Sequence, residues 1–212
     1  MTEKHHCSKC GTGYAGPECD PPKSNYTQNQ KEYIIFQLLR HIIGEDLNRP
    51  GLLETPARVV KAWEFWTGGY SVDIPALFKV FEDGAEQYDE MVIRKNIPIY
   101  STCEHHLCPI VGTCTIAYIP NGRIIGLSKL DRLADAFARR LQVQERLTSQ
   151  IANAMQEHLD PKGVGVYINA RHFCIETRGV RHMDSTTITT ALKGVMLTKD
   201  AARNEFLSLA RE

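Results

Sequence analysis

The sequence predicts an α+β fold, and three observations predict it. Some stretches carry apolar residues at helical spacing and others alternate or run together, and the two kinds come in blocks rather than in strict succession. Asn121-Gly122, a dipeptide suited to tight two-residue hairpins, sits between two strand-like runs. The chain has 212 residues, 42% of them hydrophobic, which is enough to bury a core in one large or two small domains.

The elements follow in order. Residues 1–25 contain HHCSKCGTGYAGPECDPPKSN, rich in Gly, Pro, Cys and charge and without periodicity, and are expected as a flexible tail. Within it Cys7-x-x-Cys10, with Cys19 and two upstream histidines, allows a small metal knuckle, but the second close pair of a zinc ribbon is missing. Residues 26–90 are expected as an N-terminal helical region. KEYIIFQLLRHII, 31–43, has helical spacing; NRPG, 48–51, is a turn; Thr55 and Pro56 suit the N-cap and first position of a helix running to about Trp66. Residues 91–212 form the main domain. MVIRKNIPIYS and CTIAYIP read as strands, with RIIGL as the hairpin return after Asn121-Gly122. A helix is expected from about Ser128 to Arg139, and an amphipathic one over 142–159, ended by Asp160-Pro161. GVGVYIN, HFCIET and STTITTAL read as strands, and a last helix lies near 199–210.

Charge narrows the function classes. Lysine plus arginine number 25 and aspartate plus glutamate 25, so the general basic excess of a nucleic-acid or membrane binder is absent, and any anion site has to be a local cluster. No apolar run approaches the ~20 residues of a membrane span, and MTEKHHCSKC has no apolar segment after its charges, so no secretory signal is expected. Seven cysteines is an odd number. It fits a reducing, cytoplasmic setting in which thiols serve metals or chemistry.

The chemistry concentrates in STCEHHLCPI, 101–110, which crowds Cys103, Glu104, His105, His106 and Cys108. Cysteine and histidine are the ligands zinc prefers. A straight strand sends residues three apart to opposite faces, whereas a turn brings its first and fourth residues within about 7 Å. Binding one ion through Cys103 and a histidine therefore requires a bend, with which Pro109 is compatible. Spacing does not choose between His105 and His106. In RHFCIETRGVR, His172 and Cys174 are two apart, and a strand would point both to one face. A close pair plus one distant Cys makes a three-ligand site with a fourth position for water, the mark of catalytic zinc. The plain alternatives are buried cysteines, as expected of Cys114, and histidines satisfied in the core.

CEHHL at 103–107, GLSKLDR at 126–132, RRLQVQERLT at 139–148, HFC…RGVR at 172–181 and GLLETPARV at 51–59 together resemble the GTP cyclohydrolase I family. The resemblance implies a tunnelling fold, an antiparallel sheet with helices packed on one side, assembling into a barrel-like ring. It also implies a homo-oligomer, commonly a decamer with active sites at subunit boundaries. The implied activity is a zinc-dependent hydrolysis that converts GTP and water to 7,8-dihydroneopterin triphosphate and formate, at the start of pterin- and tetrahydrofolate-type biosynthesis. Carried over residue by residue, Cys103, His106 and Cys174 become the Zn2+ ligands, and Glu104 does not. His105, His172 and Ser128 become catalytic proton carriers. Glu145, helped by Gln144, accepts from the two adjacent N–H donors of the guanine edge. Lys129, Arg132 and Arg178, with Arg58 reaching in from a neighbouring subunit, hold the triphosphate. Cys108 and Glu176 stand where apolar residues are expected. Two rivals differ in their metal chemistry. A nitrile reductase of related fold would use a cysteine nucleophile and NADPH without this ligand trio, and a non-catalytic zinc module would close the site with a fourth ligand such as Cys108.

Overall fold

The structure, a computed structural model, describes residues 26–82 and 88–212. The expected tail with Cys7, Cys10 and Cys19 lies outside the described residues. The chain divides into two compact units, one ending at Phe65 and the other running from Trp66 to Glu212.

In the first unit α1 (Gln28–Leu38) opens on a capping box: the Gln30 N–H donates to the Thr27 hydroxyl and the Thr27 N–H donates to Gln30 Oε1, at 2.8 Å for the latter. A π-helical turn, Leu39–Ile43, prolongs it until Gly44, whose φ of 80° gives the left-handed stop that glycine adopts freely. The second helix, α2 (Thr55–Trp66), begins differently from expectation. Thr55 is already helical, and its hydroxyl donates to the Gly51 carbonyl at 3.3 Å instead of capping, while the Arg58 N–H takes the Glu54 carbonyl.

The second unit is built on β1 (Val80–Phe81), β2 (Val92–Cys103), β3 (Pro109–Ile119), β4 (Ile124–Ile125), α3 (Leu127–Ala138), β5 (Leu141–Gln142), α4 (Gln144–Leu159), β6 (Gly163–His172), α5 (Phe173–Glu176), β7 (Thr187–Gly194), α6 (Val195–Thr198) and α7 (Asp200–Arg211). The sheet order is β5-β2-β3-β6-β7, with β2, β3, β6 and β7 antiparallel and β5 parallel to the end of β2. It is thus α+β, and no helix among the described residues is long and apolar enough to cross a membrane.

Strand alternation sorts the side chains. Cys114, Ile116 and Tyr118 of β3 and Val164, Val166 and Ile168 of β6 enter the main core with α3 and α4. On α4 the buried Leu147, Ile151, Met155 and Leu159 recur every fourth residue and form the stripe facing that core. Ala117 and Tyr167 point the other way and pack with Met196 of α6 and Phe206 of α7. Gly165 lies under that second cluster, where a Cβ would stand 2.9 Å from the Phe206 ring.

One irregularity governs the site. The β2–β3 register slips between Arg94 and Ile97, with Asn96 at φ 56°. One extra residue in β2 reverses its inward–outward phase. Ile93 joins the α7 side, whereas Ile97, Ile99 and Cys103 face α3 and α4. Without the bulge Cys103 would point to the opposite face.

Two sequence expectations are corrected. Gly122 does adopt a turn conformation, φ 71°, but RIIGL does not return along CTIAYIP. Its strand β4 pairs with β1, Val80 opposite Ile125, because β2 and β6 already occupy both edges of β3. HFCIET is not a strand either: β6 ends at His172 and the chain winds into the single helical turn α5.

Candidate metal centre and active site

β2 and β3 are joined by a tight connection that supplies the bend required above. The Leu107 N–H donates to the Cys103 carbonyl and the Cys103 N–H to the Cys108 carbonyl, both at 2.8 Å, and Leu107 takes φ 55°. The bend brings His106 Nδ1 to 3.9 Å from Cys103 Sγ. From the other side of the sheet edge α5 presents Cys174, whose Sγ lies 3.9 Å from Cys103 Sγ. The ligand atoms of Cys103, His106 and Cys174 all lie within 4.8 Å of one another. Tetrahedral zinc with bonds of about 2.0–2.3 Å separates two sulfurs by about 3.8 Å and a sulfur from a nitrogen by about 3.6 Å. The two separations from Cys103 Sγ, 3.9 Å each, lie close to these values, and the third stays within 4.8 Å, so the three side chains could hold such an ion. Burial, then the neighbouring Cys103, pushes the Cys174 thiol above its ordinary range.

The reading that His172 and Cys174 share a strand face is corrected, since Cys174 belongs to a helical turn. The trio forms because that turn swings Cys174 toward Cys103. Cys108 is not part of it, and its thiol donates to the His106 carbonyl at 3.5 Å.

Two arginines that sequence reasoning passed over brace the segments that carry Cys103, His106 and Cys174. Arg146, in the first turn of α4, pairs with Glu104 and donates to Gln142 Oε1 at 3.1 Å and the Leu141 carbonyl at 3.2 Å. It ties the turn carrying Cys103 and His106 to α4. Arg171 forks onto Glu176 with bonds of 2.8 and 2.5 Å, closing α5 around Cys174. This accounts for a carboxylate where an apolar residue was expected: Glu176 is buried, and Arg171 holds its carboxyl below the usual range. The spacing of Arg171 and Glu176, five residues apart across the ligand, was the available signal.

The remaining expected site residues separate into two groups. His172, half-buried at the end of β6, places Nε2 2.7 Å from Gln144 Oε1. Burial lowers its pKa and the charge of Glu145 opposes that shift, so Glu145 acts on His172 through space. Gln144 is buried and Glu145 exposed in the first turn of α4. His105 is exposed, its ring edge-on to that of His106 with centroids 6.2 Å apart and Nε2 3.8 Å from Glu104. Ser128, Lys129 and Arg132 occupy the start of α3, and Arg178 lies exposed just after α5. Lys129, Arg132 and Arg178 have no carboxylate partner among the described residues, unlike Arg94, which Asp131 engages at 2.9 and 3.0 Å. Arg58 lies in the first unit, paired with Glu54 on its own helix.

Comparison with known proteins bears on the family. The family model described as GTP cyclohydrolase I matches residues 32–211. The chain is 58% identical over 176 residues to a GTP cyclohydrolase 1 of Janthinobacterium sp. (strain Marseille), covering 83% of this chain and 88% of that one. It is 52% identical over 184 residues to a GTP cyclohydrolase 1 of Nitrosospira multiformis, covering 86% and 96%. Among solved structures, an archaeosine synthase QueF-like protein in the apo form covers 49% of this chain and 93% of its own, at 16% identity and a TM-score of 0.41, a likeness too slight to bear on fold or function. With the match spanning both units and the ligand trio assembled, the chain belongs to the GTP cyclohydrolase I family.

Proposed function

We propose that this chain is a zinc-dependent hydrolase that converts GTP and water to 7,8-dihydroneopterin triphosphate and formate. The observation that carries the reading is the Cys103–His106–Cys174 trio, spaced for one tetrahedral ion in a chain of this family. Bound there through three protein ligands, zinc supplies Lewis acidity that ionises water near neutral pH.

The chain's own residues do the rest. Glu145 offers an exposed carboxylate to the paired donors of the guanine edge. Lys129, Arg132 and Arg178 carry charges uncommitted to other described groups, which suits them to a triphosphate in an otherwise neutral protein. Arg58 of a neighbouring copy adds to them by exchanging Glu54 for phosphate. His172 and His105 carry protons at the purine, and Ser128 serves the ribose steps. A tunnelling fold closed into a ring, commonly of ten copies, suits the sheet: among the described residues the outer side of β7 and most of that of β2 have no partner strand, and such edges are usually paired or covered. The free thiols among the described residues accord with a reducing cytoplasm.

The direct test is to incubate the purified chain with GTP, oxidise and dephosphorylate the product, and measure neopterin fluorescence and formate. Both are expected, both vanish on chelation, and both return with zinc. Absence of formate after zinc is restored sinks the reading. Cys103→Ala is expected to lose zinc and formate release together; a variant that keeps a full zinc complement and normal turnover contradicts the ligand assignment.

A further inference from the structure

We infer that Gln144 is a positioning residue for His172: its side-chain amide holds the imidazole as the Nε2–H tautomer and leaves Nδ1 as the nitrogen that exchanges protons. This rests on the proposed role of His172 in proton transfer.

The assignment follows from donors and acceptors. Gln144 Nε2 lies 2.8 Å from the Thr187 carbonyl, 3.2 Å from the Ile168 carbonyl and 3.1 Å from Thr189 Oγ1. Carbonyl oxygens only accept, so this end of the amide is the NH2 group and the other end is the oxygen. That oxygen lies 2.7 Å from His172 Nε2 and can only accept. His172 Nε2 therefore carries the hydrogen. A neutral imidazole has one, so Nδ1 holds the free lone pair.

The surrounding network leaves no second arrangement. Thr148 Oγ1 donates its single hydrogen to the Gln144 carbonyl at 2.7 Å. The Thr189 hydroxyl, 2.6 Å from Thr148 Oγ1, then donates to it and turns a lone pair toward the Gln144 amide. Gln144 and Thr148 are each 1% exposed, so water does not compete for these bonds. Three elements, α4, β6 and β7, thus converge on one amide and through it orient one imidazole. With its hydrogens directed at these acceptors, the Gln144 amide has no donor left for a nucleobase, and the guanine edge falls to Glu145.

Two measurements test this on the full, zinc-loaded chain. In the first, histidine is labelled with 15N and the solid-state spectrum recorded about two units above the ordinary imidazole pKa of about 6.5, with the His172 signals identified by their loss in His172→Asn. A protonated, pyrrole-type Nε2 and a pyridine-type Nδ1 are expected; the reverse assignment overturns the inference. In the second, Gln144→Met keeps the side-chain length and removes the amide. kcat is expected to fall by on the order of 100-fold, the low end of what a positioned proton carrier contributes, with KM for GTP and zinc content unchanged. A raised KM with unchanged kcat makes Gln144 a nucleobase contact instead. If the variant fails to fold, the spectrum of the unaltered chain still decides. A chain that shows the expected tautomer but releases no formate defeats the proposed reaction and not the tautomer.

Discussion

Among the four described thiols, Cys114 is fully enclosed and burial pushes its ionisation well above the ordinary range, whereas Cys103 and Cys174 face each other at 3.9 Å beside an imidazole. The same residue type is inert filling in one place and a candidate ligand in the other because of what surrounds the sulfur. A consequence in pH follows. In the unfolded chain Cys114 loses its proton above about 8.5, while in the folded chain it keeps it, so the folded state binds more protons there and stability falls as pH rises. This one thiol contributes a loss of about 1.4 kcal/mol per pH unit above that point. Urea titrations between neutral and alkaline pH are expected to show a shallower decline for Cys114→Ala than for the unaltered chain; identical slopes refute the assignment. The candidate ligand types were legible at this scale, because Cys and His crowded near Pro109 call for a bent segment, whereas the choice of His106 over His105 rested on the family resemblance. The partners of Glu104, Gln144 and Glu176 were not, because each lies on another element or across a turn whose shape local spacing leaves open.

At the scale of elements, the helices over 128–139, 142–159 and 199–210 appear within two residues of expectation, since their apolar stripes need only the local 3.6 period. One misread segment is HFCIET. Phe173, Cys174 and Ile175 form a short apolar run, which reads as a buried strand as readily as a helical turn, yet α5 forms there, with Glu176 drawn back onto Arg171. That fork braces the turn carrying Cys174. Arg171→Met is therefore expected to weaken zinc binding by about 10–100-fold, the usual effect of removing support behind a ligand, while the remaining fold is kept. Competition with a chromogenic chelator measures it, and an unchanged affinity would show that the fork merely neutralises a buried carboxylate.

At the scale of the whole molecule, the outer edge of β7 and most of that of β2, which have no partner strand among the described residues, and exposed Tyr100, Val180 and Met183, accord with the proposed ring whose sites lie between subunits. If Arg58 serves a neighbour's site, Cys103→Ala and Arg58→Ala chains are each impaired alone, and co-expressed mixed oligomers recover part of the activity because some sites take an intact residue from each chain. Mixed oligomers with no recovery would place both residues in the same subunit's site. The sequence by itself determined the ligand types, the long helices and the neutral charge balance, because composition, three-residue spacing and helical period are properties of neighbours along the chain. Tertiary structure alone decided that the bulge at Asn96 turns Cys103 toward α3 and α4, that β4 joins β1, and that α4, β6 and β7 meet at Gln144. Those depend on which strand lies beside which, and pairing across a sheet is settled by contacts between residues far apart in sequence.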